Sequence, residues 1–180
     1  MLYAKELDKY EIEEGNDLSD EIYDLIINEI LIPRARRRAM HLLEKQDRTK
    51  KNLSDKLREG GFPPAVIEDA IAYVESYHYI DDNRYAENYV YYKQEGKSKS
   101  RIRQDLLQRG IDRDTIDAAL ESTYETSEED MVKDILRKKK YDPSTADEKE
   151  KAKLYRYLAS KGFSYETVAD AMAHFSIESD

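Results

Sequence analysis

Apolar residues recur at helical spacing from Pro33 onward, in short segments that begin at Ser, Thr, Asp or Pro and end at Gly. In the first of these segments, Thr49 stands where an N-cap is expected, Gly61 ends a helix and Pro63 precedes the next one. Hydroxyl and carboxylate side chains cap helix starts, and glycine readily adopts the left-handed conformation found at helix ends. The pattern therefore predicts an all-α protein.

The same pattern occurs three times along the chain. When the sequence is aligned on Gly61, Gly110 and Gly162, a leucine or isoleucine falls eight and four residues before each glycine. A phenylalanine or isoleucine follows each glycine directly, and the next helix carries apolar residues in the same register. A period of about 50 residues is typical of a multi-helix repeat rather than of a coiled-coil heptad. We predict three tandem three-helix repeats in an elongated, curved array.

The repeats are predicted to follow a short N-terminal extension. The expected boundaries are 1–32 for the extension and 33–78, 79–125 and 126–180 for the three repeats. The first helices of the repeats are predicted over 33–45, 82–94 and 128–140. Within the extension we predict a helix from Ser19 to Leu31, and the residues before it are compatible with a short strand or hairpin.

Charge is distributed unevenly along the chain. The net charge is -9, but residues 1–32 alone hold ten acidic and two basic side chains. Residues 33–60 carry ten basic against four acidic residues, and residues 93–113 carry seven against three. Such banding suits a protein or nucleic-acid partner with its own charge pattern, although solvated helix faces would explain any one band equally well.

Composition points to a soluble cytoplasmic protein. The chain has no cysteine, which fits a reducing compartment and excludes disulfides and thiol catalysis. No stretch approaches the roughly 20 apolar residues that span a membrane, and the first residues lack the pattern of a secretory signal.

Catalytic chemistry finds little support in the sequence. The three histidines, His41, His78 and His174, lie in separate helical segments without metal-ligand spacing. The acidic pair at Asp81 and Asp82 precedes a helix, where capping explains it better than metal binding. No glycine-rich phosphate loop follows a strand. We expect no enzymatic activity, no cofactor and no metal.

Two clusters of basic residues, one within 34–51 and one within 97–103, indicate a function more specifically than the overall composition does. Several of their residues lie at predicted helix N-termini, where the helix dipole disfavours positive charge and an anionic partner would offset it. For any single residue, a position on the ordinary solvated surface explains the positive charge about as well as an anionic partner does. The candidate partner-binding or nucleic-acid-binding residues are Arg34, Arg36, Arg37, Arg38, Lys50, Lys51, Lys97, Lys99, Arg101 and Arg103.

Tyrosine is abundant, with 15 residues against no tryptophan. The helical spacing of Tyr85, Tyr89 and Tyr92 favours packing between repeats over direct contact with a partner, although tyrosine also stacks on bases and is common at interfaces.

Four segments together resemble the RecX family of regulatory proteins. They read RRRAMHLLEKQDRTKKNLSDKLREGGF, YIDDNRYAENYV, GKSKSRIRQDLLQRGI and KAKLYRYLASKGFSYETVADAM. The resemblance runs from about Pro33 to Met172, and the order and spacing of the segments are more specific than any one of them.

The resemblance implies a non-enzymatic regulator that lodges in the groove of a RecA filament on single-stranded DNA. It would suppress recombinase, ATPase and co-protease activity and so modulate homologous recombination, DNA repair and the SOS response. We expect a monomer that binds DNA itself at most weakly. Two alternatives stay open: a sequence-tolerant DNA-binding helical module, since paired helices joined at a glycine resemble helix-turn-helix units, and a generic helical-repeat scaffold.

Overall fold

The computed structural model describes residues 2–175, and all regular elements in that range are helical. A segment of π-helix, Ile26–Leu31, joins α2 to α3. The helices are α1 (Ala4–Lys9), α2 (Asp20–Leu25), α3 (Ile32–Lys45), α4 (Lys50–Glu59), α5 (Pro64–Ser76), α6 (Asp82–Lys93), α7 (Lys99–Gln108), α8 (Arg113–Thr123), α9 (Glu128–Lys138), α10 (Glu148–Ser160) and α11 (Tyr165–Ala173). The predicted all-α class of three three-helix repeats is confirmed.

The strand or hairpin considered for the N-terminal extension is wrong. Residues Ala4–Lys9 form α1, and the part of the extension that the structure describes contains no strand. The segment AKELDK has no β-branched residue, and the Tyr3 backbone N–H donates to Glu6 Oε2 at 2.7 Å, which caps the helix start. Local propensity and capping therefore favour a helical turn.

The predicted helix from Ser19 is present, but it does not stop before Pro33. The Ser19 hydroxyl caps α2, and the π-helical segment leads directly into α3. Proline lacks an N–H donor and its ring crowds the carbonyl four residues earlier. The wider π-turn just ahead of Pro33 lets the chain pass this residue without a loop.

All three repeats turn from their second to their third helix in the same way. Gly61, Gly110 and Gly162 have φ of 79°, 84° and 91°, which is the left-handed region. The N–H of the following residue bonds back to a leucine carbonyl, as from Ile111 to Leu106 at 3.2 Å. These are Schellman turns, and they require glycine because a Cβ is disfavoured at positive φ.

The repeated apolar positions form the interior of each repeat. In the second helices, Leu53, Ile102, Leu57, Leu106 and Leu158 have no exposed surface. Residues of the third helices, such as Ile116 and Ala171, are equally enclosed. Helix α3 packs most extensively on α5, and α9 on α11. Chain contacts group into two units, Met1–Tyr85 and Ala86–Asp180.

We expect Leu106→Ala to lower the free energy of unfolding by about 2–5 kcal/mol, because it leaves a cavity in a fully buried position. Denaturant unfolding followed by circular dichroism measures the loss. The neighbouring Leu107, which is 39% exposed, supplies the control: Leu107→Ala should cost much less. Equal losses for the two variants would contradict the assigned register.

Candidate partner-binding surfaces

Two arginines of the first basic cluster are neutralised within the chain. Arg34 forms an ion pair with Glu6 of α1, and its guanidinium lies 4.4 Å from the centre of the Tyr3 ring. Arg36 makes two hydrogen bonds to Asp69 of α5, at 2.7 and 2.9 Å. Because guanidinium and carboxylate match in this forked geometry, Arg36 is held in place and its pKa is raised by the bond to Asp69.

Arg37 and Arg38 remain exposed on α3. Arg37 Nε donates only to the carbonyl of Pro33, at 3.4 Å, and within residues 2–175 no carboxylate forms an ion pair with either guanidinium. Arg37 lines an open groove of about 530 Å³. Its lining residues are Pro33, Arg36, Arg37, Met40, His41, Glu44 and Tyr73.

The lysines at the start of α4 are compensated by carboxylates of the protein itself. The Lys50 backbone N–H donates to Asp82 Oδ1 at 2.9 Å, and the Lys50 ammonium pairs with Glu75. Asp82 is the first residue of α6, and burial raises the pKa of its carboxyl. Lys51 pairs with Asp55 one turn further on, at 3.0 Å.

In the second repeat, too, a carboxylate accepts a hydrogen bond from the backbone of the lysine that begins a helix. The Lys99 backbone N–H donates to Glu128 Oε1 at 2.8 Å, and Glu128 is the first residue of α9. The Lys99 ammonium lies 5.0 Å from the ring centre of Tyr124, whose pKa burial and Glu128 raise to about 12. A carboxylate at the start of the next repeat thus offsets the positive N-terminus for which the sequence predicted an external anion.

The other candidate residues of the second repeat, Lys97, Arg101 and Arg103, also have partners. Lys97 Nζ lies 2.5 Å from Asp105 Oδ2, which also accepts from the Tyr89 hydroxyl at 3.0 Å. Arg101 Nε lies 3.2 Å from the other oxygen of Asp105. Burial acts to raise the pKa of Asp105, but the hydrogen bonds from Lys97 and Tyr89 outweigh it and the pKa is lowered. Arg103 pairs with Asp117 at 2.5 Å.

The structure therefore separates the ten predicted residues into two groups. Seven form ion pairs within the chain, and Lys99 lies over a tyrosine ring, whereas Arg37 and Arg38 present their charge to solvent. Sequence reasoning missed the acidic partners Asp82, Glu128 and Asp105. The first two carried a readable signal, since an acid begins the first helix of each following repeat.

The tyrosines divide in a similar way. Tyr89 is half-buried within the Asp105 network, which agrees with a packing role. Tyr92 is 74% exposed and Tyr91 is 62% exposed, so packing does not explain them.

The described histidines form no metal site: among residues 2–175 no group of three or more His, Cys, Asp or Glu side chains could hold an ion. Within the same range no helix is long and apolar enough to cross a membrane.

Comparison with known proteins gives consistent matches along the chain. Models of the first, second and third three-helix domains of RecX match residues 35–73, 81–120 and 127–172. The regulatory protein RecX of Caldanaerobacter subterraneus subsp. tengcongensis is 34% identical over 163 residues, covering 89% of this chain and 80% of that protein. The RecX of Clostridium botulinum strain Eklund 17B is 30% identical, covering 87% and 76%.

Two solved structures are similar to the chain. A crystal structure of regulatory protein RecX superposes with a TM-score of 0.72 at 25% identity, covering 94% of this chain and 87% of that one. A crystal structure of RecX from Lactobacillus salivarius has a TM-score of 0.65 at 24% identity, covering 79% and 95%, and shows similarity of fold.

We expect Asp105→Asn to lower the free energy of unfolding by about 2 kcal/mol at pH 7, because the Lys97 ammonium loses its charged acceptor. The folded-state pKa of Asp105 lies below its usual value, so its stabilisation is complete above that usual value, near 3.9, and is lost as the pH falls through the folded pKa. Urea unfolding at pH 7 and in acid should show the two proteins converging in acid.

The exposed Glu121 of α8 gives the control for this variant. Glu121→Gln should change stability by no more than about 0.5 kcal/mol at pH 7. A gap between parent and Asp105→Asn that persists unchanged in acid would contradict the charged network.

Proposed function

This chain belongs to the RecX family, and from that premise we propose that it binds the RecA filament on single-stranded DNA and inhibits the recombinase. The three RecX domain matches and relatives named as regulatory proteins support a regulatory role. In this proposal the protein is a cytoplasmic monomer that acts by occupying its partner rather than by catalysis. It thereby restrains recombinational repair and the SOS response.

The observation that carries this proposal is the groove beside α3. Arg37 and Arg38 are exposed and form no ion pair within residues 2–175, and Arg37 lines the groove together with the partly exposed Met40 and Tyr73. Arginine, tyrosine and methionine are enriched at protein interfaces, and arginine and tyrosine dominate their binding energy. A charged rim beside apolar atoms suits a folded acidic protein surface better than a bare phosphate chain.

The sequence-tolerant DNA-binding module has weaker support at the positions where a recognition helix would begin. Helix α5 begins at Pro64 after Pro63, and α8 begins after Asp112, whose carboxylate accepts from the Thr115 N–H. Prolines and a capping carboxylate offer few donors for base edges or phosphates.

We expect the double variant Arg37→Glu/Arg38→Glu to raise the concentration needed for half-inhibition of RecA strand exchange by about tenfold or more. Reversing two exposed charges at an interface replaces attraction by repulsion, and 1.4 kcal/mol corresponds to a factor of ten. Helical content by circular dichroism should match the parent, because neither side chain holds the fold.

Lys93→Glu/Lys138→Glu supplies the matched control, since it makes the same change in net charge at exposed lysines of α6 and α9. This control should inhibit like the parent. If both double variants inhibit equally well, the α3 surface is not the contact. Strong binding of the parent to bare DNA with no preference for RecA-coated DNA would favour the DNA-binding module instead.

We further propose that the acidic extension shields the basic residues of α3, beginning with Arg34. Glu6 already forms an ion pair with Arg34. Leu2, Tyr10 and Ile12 pack against the core of the first repeat. The extension is thus attached to the first repeat by both charge and apolar contact. A competing anionic partner must displace the Glu6 carboxylate to reach Arg34.

We expect Glu6→Gln to tighten binding to RecA-coated single-stranded DNA, most visibly at low salt where charge screening is weakest. Fluorescence anisotropy at two ionic strengths measures the change. Asp8→Asn removes the same charge from α1 at an exposed position, so it separates the specific contact from net charge. Equal affinities of the two variants at low salt would rule out shielding through Arg34.

A further inference from the structure

Helix α10 carries a basic stripe to which sequence reasoning assigned no role. Lys149, Lys153 and Arg156 are all exposed and follow one another at helical spacings of four and three residues. Their Cα atoms are separated by roughly 6 and 4.5 Å along the helix axis and lie on one face. Unlike Lys151, which pairs with Glu148, these three form no ion pair within residues 2–175.

A stacked pair of aromatic rings lies beside this stripe. Tyr155 of α10 and Tyr165 of α11 have ring centres 5.1 Å apart and planes inclined by 18°. Tyr165 is 75% exposed, so the outer side of the pair is open to solvent, whereas burial raises the pKa of the partly enclosed Tyr155. An open, pre-positioned aromatic ring offers a flat apolar surface without the entropic cost of ordering a mobile side chain.

The two features meet at a shallow apolar groove of about 210 Å³. Arg156 belongs both to the basic stripe and to the groove lining, and it therefore joins the charged and aromatic parts into one surface. The lining residues are Tyr155, Arg156, Ala159, Phe163, Tyr165 and Val168.

We propose that this surface of the third repeat binds single-stranded nucleic acid, with phosphates along Lys149, Lys153 and Arg156 and a base stacked on Tyr165. Lysine and arginine attract the phosphodiester backbone, and unpaired bases stack on aromatic rings irrespective of sequence. A duplex keeps its bases stacked on one another, so it can use the charges but not the ring. The proposal concerns the protein alone and does not depend on RecA.

An acidic protein segment is the competing occupant for a basic surface. The exposed Tyr165 ring favours the nucleic acid, because every unpaired base has a face that can stack on it and acidic side chains have none. Helix α10 also carries Glu148 and Glu150 in its first turn, on either side of Lys149. The aromatic contact is therefore the part of the site that an experiment should isolate.

The first test measures binding of the full chain to a fluorescent single-stranded oligothymidylate and to an abasic oligonucleotide of the same length, without RecA. We expect Tyr165→Ala to weaken binding of the base-containing strand by about fivefold or more, the scale of one lost base stack, and to leave the abasic strand unaffected. Tyr165→Phe retains the ring and should bind like the parent.

Tyr92→Ala is the matched control, since Tyr92 is 74% exposed but lies edge-on to Tyr91 rather than in a parallel stack. It should bind like the parent. Circular dichroism of each variant checks folding, and the retained affinity of Tyr165→Ala for the abasic strand gives a second check of the same kind.

The second test follows the salt dependence. Each phosphate contact on a single strand contributes about 0.7 to the slope of log affinity against log salt, so Lys149→Gln/Lys153→Gln/Arg156→Gln should flatten the slope by about 2. Lys93→Gln/Lys138→Gln/Lys140→Gln makes the same change in net charge at exposed positions elsewhere and should leave the slope unchanged.

The proposal is overturned if Tyr165→Ala binds the base-containing strand as tightly as the parent, or if the two triple variants flatten the slope equally. It is also overturned if a polyglutamate peptide of matched charge competes as well as the single strand, because the surface would then be a charge-only contact for an acidic protein.

Discussion

Each repeat depends on one backbone conformation that only glycine adopts freely, at the end of its second helix. Positive φ at Gly61, Gly110 and Gly162 reverses the chain within two residues, so that the second and third helices meet on their apolar faces. Gly162 meets a second constraint, since an added Cβ would lie 2.4 Å from Ser98 Oγ and 2.5 Å from Arg101 Cβ. The backbone there also accepts a hydrogen bond, from the Ser98 N–H to the Lys161 carbonyl at 3.1 Å.

The helix N-termini are the second feature that the repeats share, and they account for the partners of several basic residues. Thr49 and Ser98 cap α4 and α7 from buried positions, and Asp82 and Glu128 complete those caps. A lysine follows each buried cap, where the helix dipole disfavours it. A carboxylate from the first helix of the next repeat offsets that cost, so the backbone of each of these lysines becomes part of the contact between successive repeats.

The helices, their caps and the register of the repeat could be predicted from sequence, because they depend on residues close together in the chain. Thr49, Ser127 and the glycine turns all act where the pattern placed them. The continuous helix through Pro33 could not be predicted from the sequence. The π-turn that accommodates the proline has no local sequence signature.

The candidate site was harder to predict for a different reason. An exposed arginine and an ion-paired one look alike in a sequence, because the partner comes from a distant segment, as Asp69 does for Arg36. Only packing of α3 on α5 decides which arginines stay available. The α10 stripe escaped notice because it lacks consecutive basic residues, and its tyrosine partner lies on the next helix.

The net charge of -9 says little about what such a protein binds. Interactions between exposed charges are screened beyond about 8–10 Å at physiological salt, so a partner responds to the residues within its own footprint. Ten of the acidic side chains lie in residues 1–32, and Glu6 is tied to Arg34 there. Because the acidic charge is concentrated in one segment, the surfaces around Arg37 and around Arg156 can attract anionic partners in a chain that repels them on average.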